Sequence, residues 1–308
     1  MKYLLIILLI VFWSTVASVF KLVLREINFI EMLMWSSVFS AAGLFAANIL
    51  LKNLRTLFTV RPKILMKYAL IGLINPFLYY NILFKSYSLL PAQEAQPLNY
   101  TWPVVLTLFT GIFLKEKLTR YNFIGLIIAF SGVMVIFTNG NPFAFRFTNL
   151  TGDILAAGSS IIWACYWIIS IKDSMPASVK LFFFFLFGSL YVTVQALITG
   201  NMSLPSPGII AGCAYIGLFE MGITFLMWLT ILQQFKVKSR IIVVTYIIPF
   251  ISLFFIHLIV GETIRMYSIL GLTLIVGGII INSIKKRRSI YEKDGNSGTG
   301  FKQNGNSK

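Results

Sequence analysis

The sequence predicts an all-α polytopic membrane protein with ten transmembrane helices, arranged as two inverted five-helix repeats. Three observations carry this reading. Long apolar runs recur along the chain, Lys and Arg alternate between successive loops, and one stretch repeats itself at a constant offset.

Of the 308 residues, 57% are hydrophobic and only 12% are charged, and the mean hydropathy is +0.83. A soluble domain carries about 25% charged residues. This chain has too little polar surface to coat a water-soluble globule, so the lipid bilayer is its expected partner. A net charge of +16 would point to nucleic acid in a soluble protein. Here the basic residues sit between apolar runs and form no basic face with interleaved aromatics, so no nucleic-acid partner is expected.

A span needs about 20 largely apolar residues. Spans are placed at 4–24, 29–51, 64–84, 95–114, 121–138, 152–171, 179–199, 208–231, 240–260 and 266–284. The first follows Met1-Lys2-Tyr3 and imitates a signal peptide. Its apolar run continues to Leu24 with no cleavage pattern behind it, so it reads as a span. Inside lipid every backbone polar group needs a partner, which leaves helices or a closed barrel. Continuous apolar runs, rather than short alternating segments, exclude the barrel.

Loop charges test the ten-span arrangement. With both termini in the cytoplasm, 21 of the 26 Lys and Arg residues fall inside. They cluster at Lys52–Lys67, at Lys115–Arg120, at Lys236–Arg240 and in the tail, while Lys21, Arg25, Lys85, Arg146 and Arg265 remain outside. This asymmetry supports a multi-pass protein of the cell membrane with both ends cytoplasmic. The tail, 285–308, is basic and then rich in Gly, Asn and Ser, and is expected to be disordered.

Residues 99–138 align without gaps with 245–284. Tyr100 meets Tyr246, Pro103 meets Pro249, Glu116 meets Glu262, and Tyr121 meets Tyr267. Gly125 and Gly132 meet Gly271 and Gly278. The repeats are thus placed at 1–140 and 150–284. Each holds five helices, an odd number, so the second copy enters the membrane upside down. Inverted halves supply two related conformations open to opposite sides, the basis of alternating access.

Two such halves, each closing with a Tyr-x-x-Pro helix, a loop glutamate and a Gly-x6-Gly helix, resemble the EamA family of the drug/metabolite transporter superfamily. The resemblance covers residues 1–284. Phe12-Trp13-Ser14-Thr15 and Asn99-Tyr100-Thr101-Trp102-Pro103 are similar to stretches of the aromatic amino acid exporters. The resemblance implies a secondary transporter, an exporter of amino acids or similar small metabolites, with no cofactor. Other members move nucleosides, sugars or lipid-linked sugars, and that alternative stays open.

Several residues are candidates for contact with a small-molecule substrate. Pro103 and Pro249 are expected to kink the fourth and ninth spans and so free a carbonyl toward a water-filled cavity. Tyr100 and Tyr246 lie three residues earlier, on the same face; a structural kink with a packed tyrosine explains the pattern equally well. Gln93, Glu94, Gln96 and Asn99, ahead of Trp102, make a polar stretch that lipid would penalise, so it should point inward. Glu94 is placed near the outer interface, within reach of Lys85.

Trp13, Trp163, Tyr166 and Trp167 can stack on a planar substrate, clamp an ammonium, or simply pack. The same holds for Tyr79 and Tyr80 beside Asn75 and Pro76. Glu220 is the twelfth residue after Gly208, which on a straight helix places it about 18 Å deep. A lone carboxylate there must meet a proton, a cation or a structural partner, so Glu220 is the candidate for proton coupling. Trp228 lies two turns further along.

Other polar residues have plainer readings. Glu116 and Glu262 are expected to cap the helices that follow them. Cys165 and Cys213 have no metal-ligand spacing and read as buried packing thiols. An intramembrane enzyme would have to use Glu220 and the single histidine, His257, without paired acids, a metal cluster or a nucleophile elbow. No Walker motif is present, so direct ATP use is not expected.

Overall fold

The computed structural model describes residues 2–113, 119–141, 147–171, 173–234 and 245–296. Glu116, the repeat partner of Glu262, lies outside the described residues, as does the side chain of Trp167. Among the described residues every regular element is helical.

Helix α1 spans Lys2–Leu24 and α2 spans Phe29–Leu50. The Asn28 side chain starts α2 by accepting from the N–H groups of Ile30 and Glu31, which would otherwise lack partners. A short α3, Leu54–Phe58, leads to α4, Pro62–Gly72, which begins on a proline whose missing N–H costs nothing at that position. A π-helical turn, Leu73–Leu78, joins α4 to α5, Tyr79–Leu89. Asn75 within it has φ −146° and ψ 120°, so the helix kinks there.

The next passage is broken in two: α6, Ala92–Asn99, and α7, Trp102–Phe113. The Thr101 hydroxyl donates to the Leu98 carbonyl at the break. Then follow α8, Arg120–Phe137, α9, Leu150–Ile171, and α10, Ala177–Ile198. Helix α11, Pro207–Ile216, passes through a second π-helical turn, Gly217–Gly222, into α12, Ile223–Gln234. A 3-10 turn, Thr245–Ile247, opens α13, Ile248–Phe255, which ends in a further π turn, Ile256–Val260. The last helix is α14, Met266–Asn296.

Two expectations change here. Pro103 and Pro249 do not kink helix interiors; each stands in the first turn of a helix, Pro103 just after the α6–α7 break and Pro249 just after the 3-10 turn Thr245–Ile247. A first-turn proline loses no intrahelical bond, so the chain breaks before it rather than bending at it. The last helix also runs past 284, where the tail was expected to become disordered. Residues 285–294 contain no Pro or Gly and are rich in Lys and Arg, which favour helix; Gly295 and Asn296 close it.

Five stretches among the described residues are long and apolar enough to cross a membrane: Tyr3–Leu24, Phe29–Leu50, Arg120–Phe137, Ala177–Ile198 and Pro207–Ile231. Their outward faces carry exposed side chains such as Ile7 and Val11, Ile127 and Phe130, and Leu190, Val194 and Leu197. Water would penalise apolar faces of this extent, whereas lipid tails match them.

Small residues set the closest helix contacts. Helix α8 lies along α14, with Gly125 against the Gly278 carbonyl and Gly132 against the Gly271 carbonyl. Asn122 donates its amide to Asn282 at the same seam. Likewise α2 lies along α10, where the Asn48 amide donates to the Ser178 carbonyl at 2.9 Å. Close backbone approach and interhelical hydrogen bonds are the usual sources of helix association in lipid.

The α9–α10 loop is held by Asp173. It accepts from Lys67 Nζ at 2.7 Å, from Tyr68 at 3.2 Å and from the Met175 N–H at 3.0 Å. Burial alone would push the Asp173 carboxyl up, but the bonds from Lys67 and Met175 and the charges of Lys67 and Lys180 hold it below its ordinary value. A depressed carboxyl stabilises the fold above its unfolded pKa and loses that contribution as pH falls through the folded value. Asp173→Asn is therefore expected to lower thermal stability by about 1 kcal/mol near pH 7, Lys67 being half exposed. The gap should close as pH falls through the lowered carboxyl value. Melting curves across pH check this; a gap that persists in acid contradicts the assignment.

Candidate functional site

A central cavity lies between the helices. Its wall is drawn from far-apart parts of the chain: α1, α5, the α6–α7 break, α9, the second π turn with α12, and the start of α13.

Helical spacing explains which side chains reach it. Trp13, Val16, Ala17 and Phe20 form one stripe of α1, and Tyr79, Leu83 and Tyr87 recur every four residues on α5. Gln96, Asn99, Tyr100 and Trp102 arrive around the α6–α7 break. Trp163 comes from α9, and Glu220, Phe225 and Trp228 from the second π turn and α12. Phe20, Tyr87 and Phe225 escaped the sequence reading. Their spacing from Trp13, Tyr79 and Trp228 was the available signal.

Aromatic rings wall the space. Trp163 stacks on Tyr79 at 4.7 Å between ring centres and on Tyr166 at 5.5 Å, and Trp13 lies 5.8 Å from Trp228. Glu220 is the one charged side chain among the described lining residues. Tyr80 donates to Glu220 Oε1 at 3.2 Å, so a residue just after the first π turn bonds one inside the second. Glu220 thus sits in a π turn rather than on the straight helix assumed from its position. Such turns widen a helix and frequently mark functional sites. Gly217 packs against the Ser36 backbone and Gly222 against Ser40, which lets the turn press against α2.

The polar wall is ordered by a short chain. The Tyr79 hydroxyl donates to Asn99 Oδ1 at 3.4 Å, and Asn99 Nδ2 donates to Ser159 at 2.7 Å. Gln96 is more than nine-tenths buried, and its Oε1 has no hydrogen-bond partner.

Other candidates fall outside the lining. Asn75 is buried at the kink, while Tyr80 and Tyr166 stand behind Glu220 and Trp163. Tyr246 is buried in the 3-10 turn before Ile248, which does line the cavity. The Trp167 side chain lies outside the described residues.

Beyond Phe20 and Tyr87 a set of hydrogen bonds joins α1, α5, α6 and the segment 262–268. Lys21 donates to the Tyr87 and Leu90 carbonyls, both at 2.8 Å. Glu262 does not cap the helix after it; it crosses over and accepts from the Ala92 and Gln93 N–H groups at the start of α6. A carboxylate suits those unpaired donors and the positive end of the helix dipole. Gln93 donates to the Thr263 carbonyl and accepts from the Arg265 N–H at 2.7 Å. Glu94 is buried and accepts from Tyr267 at 2.7 Å and from Thr148, whereas Lys85 instead lies over the Phe29 ring. Burial removes Glu94 from the interface where Lys85 would have met it.

His257 is exposed, with Nδ1 2.9 Å from the Glu262 carbonyl. Cys213 is buried, but Cys165 is only half buried, because its face of α9 is not fully covered.

A family model for EamA-like transporters matches twice, over residues 1–138 and 150–284. The chain belongs to the EamA-like transporter family. It is similar to the uncharacterized transporter YyaM of Bacillus subtilis, 22% identical over 59% of this chain and 61% of that one, so it spans under two thirds of that relative's length. It is also similar to the aromatic amino acid exporter YddG of Ancylobacter novellus, 24% identical over 70% of this chain and 76% of the other. A solved crystal structure of a protein, 20% identical, shares the fold with a TM-score of 0.67 over 94% of this chain and 98% of its own. This EamA chain is therefore a multi-pass membrane protein of a transporter family.

Proposed function

We propose that this EamA chain is a secondary transporter that exports amino acids or similar small metabolites across the cell membrane by alternating access, with protons coupled at Glu220. Its helical stretches make ten passages in two inverted five-helix halves, 1–140 and 150–284, with both termini in the cytoplasm. The observation that carries the reading is a midplane-type cavity walled by residues of both halves, Trp13 to Trp102 and Trp163 to Ile248.

Paired features support the inverted halves. The π turns at Leu73–Leu78 and Gly217–Gly222 fall in corresponding passages, and so do the helix starts at Pro103 and Pro249. The glycine contacts obey the same relation. Gly125 and Gly132 correspond to Gly271 and Gly278, and Gly125 meets Gly278 as Gly132 meets Gly271. A two-fold relation between the halves turns each of those contacts into the other. Broken helices in corresponding positions lie around the substrate site in inverted-repeat transporters.

Two measurements test the proposal. Proteoliposomes holding the full chain are expected to exchange a radiolabelled amino acid or related amine across the bilayer faster than empty vesicles; no movement of any solute in a broad panel contradicts transport. For topology, cysteines at Arg120 and Thr263, with Cys165 and Cys213 replaced by serine, are expected to react with a membrane-impermeant maleimide from opposite sides. Labelling of both from one side would remove the inverted arrangement.

A further inference from the structure

The cavity lining carries one formal negative charge and no described positive one. Its one carboxyl group belongs to Glu220. A second acceptor, Gln96 Oε1, is buried without a partner and also lines the cavity. Trp13, Trp228, Trp163 and Tyr79 line the same space. Electron-rich ring faces attract ammonium groups and repel anions.

The described basic side chains nearest either end are already engaged. Lys21 holds the Tyr87 and Leu90 carbonyls and Arg25 holds the Val260 carbonyl. Lys67 and Lys180 are gathered on Asp173 and its carbonyl. A zwitterion entering this space brings a carboxylate that meets no described cation, and it is desolvated beside Glu220. An uncompensated buried charge is strongly unfavourable. Rejection by unpaired charge is also a common means of specificity.

We propose that the substrate is an organic cation: an amine on a flat apolar group, with no carboxylate of its own, its ammonium between Glu220 and Gln96 and its apolar part against the tryptophans. This rests on the transport reading above and, within it, puts amines without a carboxylate in the place of amino acids. Glu220 then exchanges one positive charge for another, a proton leaving as the amine binds and returning as it departs. No bond to carbon is made or broken.

Matched pairs test this with the full chain in proteoliposomes. Radiolabelled tryptamine and tyramine are compared with tryptophan and tyrosine, and with the methyl esters of those two amino acids, in equilibrium binding and counterflow. The esters keep the bulk of the parent but lose its negative charge. Amines and esters are expected to bind at least about tenfold tighter than the parent amino acids. In Glu220→Gln that preference should shrink to about threefold or less. Should the variant not fold, the wild-type pairs decide alone.

Amino acids bound and moved as well as their amines overturn the organic-cation assignment and leave transport standing, and so does a neutral nucleoside that binds tighter than either. If no solute binds or moves, the cation assignment falls together with the transport reading.

Discussion

Glu220→Gln is expected to flatten the pH dependence of transport and to lower gradient-driven flux about 10- to 100-fold, the range set by loss of a charged hydrogen bond. Glutamine keeps the length of the side chain, and its carbonyl still accepts from Tyr80, 3.2 Å away in the parent. Packing in the Gly217–Gly222 turn is thereby preserved, while the group that binds and releases a proton is gone. Flux in proteoliposomes with and without an imposed pH gradient reads the effect, and a melting curve checks the fold. An unaltered pH profile removes Glu220 from coupling. Attention then shifts to Glu94 and Asp153, each buried with one carboxylate oxygen unpartnered.

The second large effect lies at the α8–α14 seam. Gly125→Val is expected to destabilise the protein by about 3 kcal/mol or more, at or beyond the upper end of ordinary overpacking. A Cβ on residue 125 would lie 2.8 Å from the Asn282 N and 2.9 Å from its Cβ, besides meeting the Gly278 carbonyl. Those obstacles are mainly backbone, so relief requires the two helices to separate, which also strains the Asn122–Asn282 bond. Gly277→Ala on the same helix is the control, since a Cβ there meets nothing within 4 Å. It should stay within about 0.5 kcal/mol of the parent or gain slightly from better helix propensity. Thermal unfolding in detergent separates the two; equal melting points would mean that the seam does not govern stability.

The all-helical membrane character of the chain was legible because it depends on composition and period, which each segment carries by itself. The gathering of Trp13, Asn99, Trp163, Glu220 and Trp228 around one space was legible for a related reason: polar and amphipathic groups in apolar helices have few tolerable places to point. Features that depend on partners far along the chain were not. Glu262 is ordinary for a cap, but nothing local says that the N–H groups it satisfies belong to Ala92 and Gln93. Glu94 lies near Lys85 in sequence, yet it meets Tyr267 after folding. Pro103 illustrates a local ambiguity. A proline within an apolar run is compatible with a bend in one helix or the start of another, and the Thr101–Leu98 bond at the break settles the choice.

The ties between α6 and the segment 262–268 consist of amides, hydroxyls, main-chain groups and two carboxylates, Glu262 on N–H donors and Glu94 on a hydroxyl, rather than lysine–carboxylate pairs. Dissolved ions weaken separated exposed charges far more than short, sheltered hydrogen bonds. The pace at which this end of the molecule parts is therefore expected to change little with salinity and steeply with warming, because several bonds must yield together.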